Sequence, residues 1–338
     1  MYLSPAHWLN EVPSKTLSAA KLDWKAIPVI DLAPWFDGTE TDRKKVADEV
    51  ISACSTAGFL YIINHQVPLE LLASVFDVSS EFFDLPLPQK NKVSFELGNR
   101  NRGYIPFGAE SSDPNAKRDE KEAYDFTHKV PASAAGELMM DRITGDNLWA
   151  EEPAKLKPVV ELYLQKCIEL GTTLFQIFAV GLGLPQDYFN DKIDHPIAQL
   201  RLLHYPAQDP DNTSVENLGI GKHCDYECLT ILAQGKVGGL QVENLSGEWV
   251  EAPPIEGAFN VNIGEMLTRW TNGRFKATPH RVVNTTGQNR YSVPFFFATN
   301  YDVNIKPLNL CVENGSSPRY EEVLAGEYLV ARLDEIYG

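Results

Sequence analysis

Near residue 196 the hydrophobic pattern of this 338-residue chain changes period, and that change limits what it can fold into. Upstream, apolar residues recur at helical spacing. A helix entered at Thr41 carries Val46, Val50, Ile51 and Cys54 on one face and ends at Gly58; a second runs from Pro68 to about Asp84 with Leu72, Val75, Phe76, Ser79, Phe82 and Phe83. A longer helical segment from about Pro153 to Leu182 tolerates Pro158 in its first turns and presents Val160, Leu164, Cys167, Ile168, Leu174, Phe175 and Phe178 as an apolar stripe. Downstream, the apolar stretches are short and divided by Gly/Asn turns: Leu200 to Tyr205, Leu229 to Ala233, Leu240 to Asn244, Trp249 to Ala252, Phe259 to Ile263, His280 to Val283 and Tyr291 to Ala298. Many short strands at close spacing predict a sandwich or jelly roll.

The expected fold is therefore mainly β with flanking helices, an α+β arrangement. A helical and mixed region occupies 1–195, with an irregular arm to about residue 27 and short strands at Val29 to Leu32 and Phe59 to Asn64. Residues 89–150, rich in Asn, Asp, Gly and charge, read mostly as loops. The strand-rich core spans 196–305, and a C-terminal segment over 306–338 contains a helix from Arg319 to Tyr337 that caps the mouth.

Within the strand-rich half, His223 and Asp225 stand two apart, and His280 follows 55 residues after Asp225. In an extended segment residues two apart share a face, so His223 and Asp225 form a local pair while Cys224 faces the other way. His280 stands in Thr278-Pro279-His280-Arg281-Val282-Val283, whose β-branched residues read as the start of a strand, and so supplies a third ligand from a distant strand. Two imidazoles and one carboxylate are the ligand set of non-heme Fe(II) with open coordination positions. A His-x-Asp pair also arises by chance in a chain with seven histidines; here it runs directly into the apolar stretch Leu229-Thr230-Ile231-Leu232. Arg290 and Ser292 again stand two apart and precede the apolar run Val293 to Phe297. A guanidinium fork with an adjacent hydroxyl suits a carboxylate, although most arginines sit in surface ion pairs. Cys224 and Cys228 make an isolated C-x3-C with no second pair, too little for zinc.

Those residues, together with Pro28-Val29-Ile30-Asp31-Leu32, Gly58-Phe59-Leu60-Tyr61-Ile62-Ile63-Asn64-His65, Arg102-Gly103-Tyr104 and Lys121-Glu122-Ala123-Tyr124-Asp125-Phe126, resemble the Fe(II)/2-oxoglutarate-dependent dioxygenase superfamily. The resembled branch includes isopenicillin N synthase, thymine dioxygenase and the plant flavonoid oxygenases. The resemblance implies a double-stranded β-helix (jelly-roll) core, with the family's N-terminal part at about 28–150. It implies Fe(II) on His223, Asp225 and His280, and 2-oxoglutarate held through its distal carboxylate by Arg290, Ser292 and Tyr205. It further implies O2 as oxidant, release of succinate and CO2, and hydroxylation, desaturation or rearrangement at an unactivated C–H of a small organic molecule. Leu203 departs from the Asn often found there in the plant enzymes, which points to secondary metabolism on the microbial side. By alternation from Tyr205, Arg201 and Leu203 share its inward face and become substrate candidates, with Phe295, Phe297, Arg102 and Tyr104 as further ones. An oxidase resembling isopenicillin N synthase, in which the Arg and Ser bind the substrate's own carboxylate, and a jelly roll that binds a ligand without turnover are the alternatives.

A formal net charge of −16 leaves no basic stripe for phosphates, so nucleic acid is not an expected partner. No long apolar span marks a membrane helix, and the first residues lack the basic and apolar runs of a signal peptide. Five scattered cysteines argue for a reducing, cytoplasmic setting. Oligomeric state is not legible.

Overall fold

The computed structural model describes residues 27–98, 102–112, 118–130, 145–208 and 218–337. The irregular arm expected before residue 27 lies outside these residues, as do 99–101, 113–117 and 131–144 of the expected loop region. In chain order the strands are β1 (Val29–Asp31), β2 (Phe59–Ile63), β3 (Gly103–Ile105), β4 (Glu122–Thr127), β5 (Ala198–Tyr205) and β6 (Ile220–His223). They continue with β7 (Leu229–Gln234), β8 (Leu240–Glu243), β9 (Trp249–Glu251), β10 (Phe259–Ile263), β11 (His280–Val282), β12 (Arg290–Phe297), β13 (Asn304–Ile305) and β14 (Val323–Leu324).

Two sheets face each other: an eight-stranded one ordered β1-β2-β10-β7-β12-β5-β4-β3 and a four-stranded one ordered β6-β11-β8-β9. Strand alternation gives the large sheet two different faces. Ala198, Leu200 and Leu202 of β5 and Val293, Phe295 and Phe297 of β12 point outward into a core shared with the helices. Leu203 and Tyr205 point inward, where they meet Phe59, Tyr61, Leu240, Val242 and Val282 between the sheets. The chamber between the sheets is thus lined by one parity of each strand.

The long helix Leu156–Leu182 buries Val160, Leu164, Cys167, Leu174, Phe175 and Phe178, six of the residues in its predicted stripe. It lies close against β12 because position 171 is glycine: a Cβ there would stand 2.9 Å from the Phe297 ring. Helices Glu40–Thr56 and Leu69–Phe83 match their predicted positions to within a few residues, the first entered through a Thr39/Asp42 capping box.

Two regions differ from expectation. Residues read as loop contain β3 and β4, and every residue of β4 is buried. Its polar residues are neutralised by partners distant in sequence: on the helix side, Glu122 accepts hydrogen bonds from Lys90 Nζ (2.7 Å) and Tyr104 Oη (2.5 Å) and pairs with His204 Nδ1 (2.8 Å). The C-terminal helix begins at Ala325, not Arg319, because Val323 and Leu324 pair with Ile305 and Asn304 instead.

Burial alone would raise the Glu122 pKa, but the hydrogen bonds from His204, Lys90 and Tyr104 outweigh it and hold the carboxyl below the usual range. A carboxylate with a depressed folded pKa contributes stability that is present above its unfolded pKa and is lost as pH falls through the folded value. Glu122→Ala strands the buried Lys90 ammonium, and the expected loss is about 3–5 kcal/mol at neutral pH. Urea denaturation followed by circular dichroism measures it; a loss under about 1 kcal/mol would show the cluster to be energetically idle.

Candidate metal centre and cosubstrate pocket

His223 closes β6 and His280 opens β11, and these antiparallel strands place the two residues directly opposite one another. Their ring centroids are 4.3 Å apart, with Phe59 edge-on to His280 at 5.4 Å. Asp225 follows in the loop after β6. Its Oδ1 lies 3.6 Å from Nε2 of His223 and 3.6 Å from Nε2 of His280. One ligand atom from each of the three residues lies within 4.8 Å of the others.

The surroundings decide which atoms face the centre. His223 Nδ1 lies 2.9 Å from the Gly221 carbonyl and His280 Nδ1 lies 3.2 Å from the Thr278 carbonyl. A carbonyl only accepts, so each Nδ1 carries the proton and each Nε2 turns its lone pair inward. Asp225 Oδ2 accepts from Thr230 Oγ1 and from Asn262 Nδ2 (2.6 Å), which leaves Oδ1 between the imidazoles. Burial alone would raise the Asp225 pKa, yet the two imidazoles and these hydrogen bonds hold it below the ordinary carboxylate range. Burial, then the neighbouring His223, lowers His280 to about 4, with Asp225 partly opposing. A neutral imidazole and an ionised carboxylate are the states a metal ligand needs. Two nitrogens and one oxygen suit Fe(II) and leave positions open, unlike a closed structural zinc site.

The ligand loop is clamped by the segment after β10. Gly264 N donates to the Cys228 carbonyl (3.0 Å), Glu265 N to that of Asp225 (2.8 Å) and Met266 N to that of Tyr226 (3.2 Å). Only glycine fits at 264, since a Cβ would fall 2.1 Å from the Glu227 carbonyl oxygen. Glu265 in turn holds the C-terminal helix, accepting from Arg332 Nη2 (2.7 Å) and Tyr328 Oη (2.5 Å).

On the inner face of β12, Arg290 is 0% exposed and sits opposite Tyr205, with Ser292 opposite Leu203. Its Nη1 donates to Ser292 Oγ and its Nη2 to Gln234 Oε1, each at 3.3 Å, and its guanidinium stands 4.6 Å from the Tyr205 ring centroid. Its Nε has no acceptor, and no carboxylate among the described residues pairs with it. A buried guanidinium lacking a counterion is costly. A ligand carboxylate on the inner face meets that need, so the residues present fit 2-oxoglutarate.

The other substrate candidates divide by parity. Arg201 and Leu203 share the inner face with Tyr205, but Arg201 is already gripped: its Nε and Nη2 reach Asp125 at 2.7 and 2.6 Å, and Nη1 and Nη2 reach Glu110 at 3.1 and 2.9 Å. Leu203 packs into the inner apolar cluster. Phe295 and Phe297 do not line the chamber; odd positions of β12 face the helices, and Phe297 packs on Phe175 at 5.7 Å. Tyr104 is likewise turned outward, opposite Tyr124, its hydroxyl spent on Glu122. Arg102 is buried with Nε donating to the Asp146 carbonyl (2.8 Å). Sequence reasoning missed Thr230, Gln234, Asn262, Glu227 and Phe296. Counting in twos from Arg290 would have reached Phe296, which lies opposite Gln199 of β5 and Thr230 of β7. Glu227 lies two beyond Asp225, and burial first, then the Asp225 charge, pushes its carboxyl up to about 7.

A jelly roll with two imidazoles and a carboxylate converging between its sheets, and an uncompensated arginine on the same inner lining, is the architecture of a non-heme iron oxygenase. Comparison with known proteins agrees. Residues 27–152 match the model for the non-haem dioxygenase N-terminal region in morphine synthesis, and residues 196–299 match that of the 2OG-Fe(II) oxygenase superfamily. The 2-oxoglutarate-dependent dioxygenase tropC of Talaromyces stipitatus is 35% identical over 93% of this chain and 96% of its own length. A homoarginine-6-hydroxylase of Oryza sativa is 35% identical over 92% of this chain and 97% of its own. A full-length Neurospora crassa protein solved in complex with alpha-KG and thymine superposes with a TM-score of 0.82 at 31% identity, covering 91% of this chain and 96% of that one. The chain belongs to the Fe(II)/2-oxoglutarate-dependent oxygenase superfamily. It is an oxidoreductase that uses Fe(II), 2-oxoglutarate and O2 to oxidise a small organic molecule.

Proposed function

We propose that His223, Asp225 and His280 hold the iron, and that Arg290, Ser292 and Tyr205 hold the distal carboxylate of 2-oxoglutarate. The observation that carries this reading is the fully buried Arg290, which has a hydroxyl beside it, an aromatic face against it and no protein carboxylate to balance it. Bound together, the iron, 2-oxoglutarate and O2 supply an oxidative decarboxylation, yielding succinate and CO2, that drives attack on an unactivated C–H.

The chain's own residues do the positioning. Hydrogen bonds to Gly221 and Thr278 fix the imidazole tautomers, and Thr230 and Asn262 fix the rotation of the Asp225 carboxylate. Gln234 steadies the Arg290 fork from β7. Phe296, with Leu329 and Leu333 of the C-terminal helix, walls a small space also lined by Tyr226 and Glu227, the two residues that follow Asp225. The relatives act on or bind molecules as different as homoarginine and thymine, so membership alone does not choose the substrate. A role in secondary metabolism is the reading we adopt, on the similarity to tropC and the apolar Leu203 beside Ser292. The five cysteines are unpaired, in keeping with a reducing, cytoplasmic compartment, and no helix among the described residues is long and apolar enough to cross a membrane.

Anaerobic addition of Fe(II) and then 2-oxoglutarate is expected to produce the weak visible charge-transfer band of the chelate. Iron binding without that band would instead favour an oxidase that takes no 2-oxoglutarate.

A further inference from the structure

Asn260 lies on the inner face of β10 and is 1% exposed, yet neither its Nδ2 nor its Oδ1 has a hydrogen-bond partner. Withdrawing an amide from water without a partner is unfavourable, and most buried side-chain polar atoms in folded proteins are satisfied. The neighbours explain why this one is not. On β7 it stands opposite Leu232, and on β2 opposite Tyr61, whose hydroxyl donates to the Pro253 carbonyl (2.7 Å). Burial pushes that hydroxyl up to about 12, with the nearby Asn260 amide opposing only in part. Across the chamber the four-stranded sheet turns Leu240, Val242 and Val282 inward, none of which can hydrogen-bond through its side chain.

The strand register puts this amide on the path of the cosubstrate. Inner-face residues of the large sheet fall into rows that run across the strands. One row contains Ser292 and Gln234, both bonded to Arg290, at the end suited to the distal carboxylate. Two rows further along stand Phe296, Thr230, Asn262 and Phe59, where Thr230 and Asn262 hold Asp225 and Phe59 lies edge-on to His280. The row between them is Pro294, Leu232, Asn260 and Tyr61. A molecule that grips Arg290 at one end and meets the metal ligands at the other crosses that middle row. Within it Asn260 alone has an uncommitted side-chain donor: proline and leucine have none, and Tyr61 has used its own.

We infer that Asn260 is a cosubstrate-binding residue, its Nδ2 donating a hydrogen bond to an oxygen of the 2-oxo-acid end of 2-oxoglutarate. The inference deepens the reading given under Proposed function and rests on it. It divides the work along the chamber: Arg290, Ser292 and Tyr205 select the distal carboxylate, and Asn260 orients the reacting end. It also supplies from β10 an amide contact that Leu203, opposite Ser292 on β5, cannot make.

The test compares the full-chain wild type with Asn260→Leu, which keeps the size and removes the amide, and with Asn260→Val, whose branched side chain suits a strand. Thermal denaturation of the apo proteins is expected to give both variants a melting temperature equal to or above that of the wild type, because an unsatisfied buried amide is gone. Anaerobic titration calorimetry is expected to show Fe(II) binding unchanged and 2-oxoglutarate bound about tenfold or more weakly by the Fe(II)-loaded variants, the worth of one hydrogen bond to a charged group. At saturating 2-oxoglutarate the charge-transfer band is expected to persist in the variants but to move to shorter wavelength, since a hydrogen bond donated to the 2-oxo acid lowers the level that accepts the electron. An unchanged affinity for 2-oxoglutarate or an unmoved band overturns the inference. A lower apo melting temperature or loss of the fold in both variants also overturns it, by showing that the amide serves the fold through a buried water. Loss of Fe(II) binding overturns it too, by showing that the amide serves Asp225. Failure of the wild-type protein to form the band strikes the iron and 2-oxoglutarate reading itself, so the two failures are distinguishable.

Discussion

In an Asp225→Ala variant, iron-dependent turnover is expected to fall to the background of iron in buffer, and the protein is expected to lose stability as well. The two effects have separate causes. Turnover fails because two facing imidazoles are a poor substitute for a three-ligand site, and Asp225 is the only acid among the three. Stability falls because Thr230 Oγ1 and Asn262 Nδ2, both buried, lose their shared acceptor, at about 1–3 kcal/mol for each unsatisfied group. Asp225→Asn separates the causes. Its carbonyl oxygen still accepts from Thr230 and Asn262, while its NH2 donates toward the two Nε2 atoms that stood 3.6 Å from the carboxylate. The side chain then closes the site with hydrogen bonds where a metal would sit. Asparagine is therefore expected to restore stability to near the wild-type value without restoring turnover. Thermal denaturation of apo proteins and succinate release under added Fe(II) read the two effects independently; wild-type succinate release from either variant would refute the ligand assignment.

Replacing Arg290 is expected to move affinity and apo stability in opposite directions. Removing one partner of a buried, charge-assisted carboxylate pair costs about 2–5 kcal/mol in binding, so the half-saturating 2-oxoglutarate concentration should rise thirtyfold or more in Arg290→Leu. In the apo protein the same change deletes a fully buried guanidinium whose Nε has no acceptor, so apo stability should hold or rise. Thermal shift assays with and without saturating 2-oxoglutarate reveal both signs together: the wild type is stabilised by the cosubstrate, and the variant melts at the same or a higher temperature but no longer responds to it. Arg290→Lys is expected to behave like the leucine variant toward 2-oxoglutarate, because an ammonium cannot reproduce the planar fork that reaches Ser292 and Gln234 together. A larger effect on the substrate requirement than on that for 2-oxoglutarate would identify Arg290 as a substrate anchor instead.

How much of this was legible in the sequence depends on the range of the interactions involved. The convergence of His223, Asp225 and His280 was readable because it rests on the shortest rule in a sheet, two residues to one face, and on a third side chain just ahead of a recognisable β-branched pair. The arginine and serine were readable for the same reason. What failed was the same rule applied without parity: Phe295 and Phe297 follow Arg290 by odd intervals and so face the helices, whereas Phe296 faces the chamber. Strand β4 was hidden for a different reason. Glu122 and Asp125 look like surface residues until Lys90, His204 and Arg201, up to 82 positions away, neutralise them. Local composition cannot display a charge balance that only tertiary structure creates. The late start of the C-terminal helix has a similar origin, since the β13 pairing that claims Val323 and Leu324 has no local signature.

The pairing of His223 with His280 would also tie bound iron to the integrity of the fold. Strand β6 is one of the two edge strands of the four-stranded sheet, and its last residue, His223, lies opposite His280 of its neighbour β11. A metal held by both imidazoles would act as a rivet on an edge strand, and its removal would unfasten one edge of that sheet, where unpaired backbone can meet another chain. Iron starvation would then select against this enzyme twice, silencing catalysis and exposing a seam at which idle molecules aggregate or are cleared. The supply of metal would set how long the protein lasts as well as how fast it works.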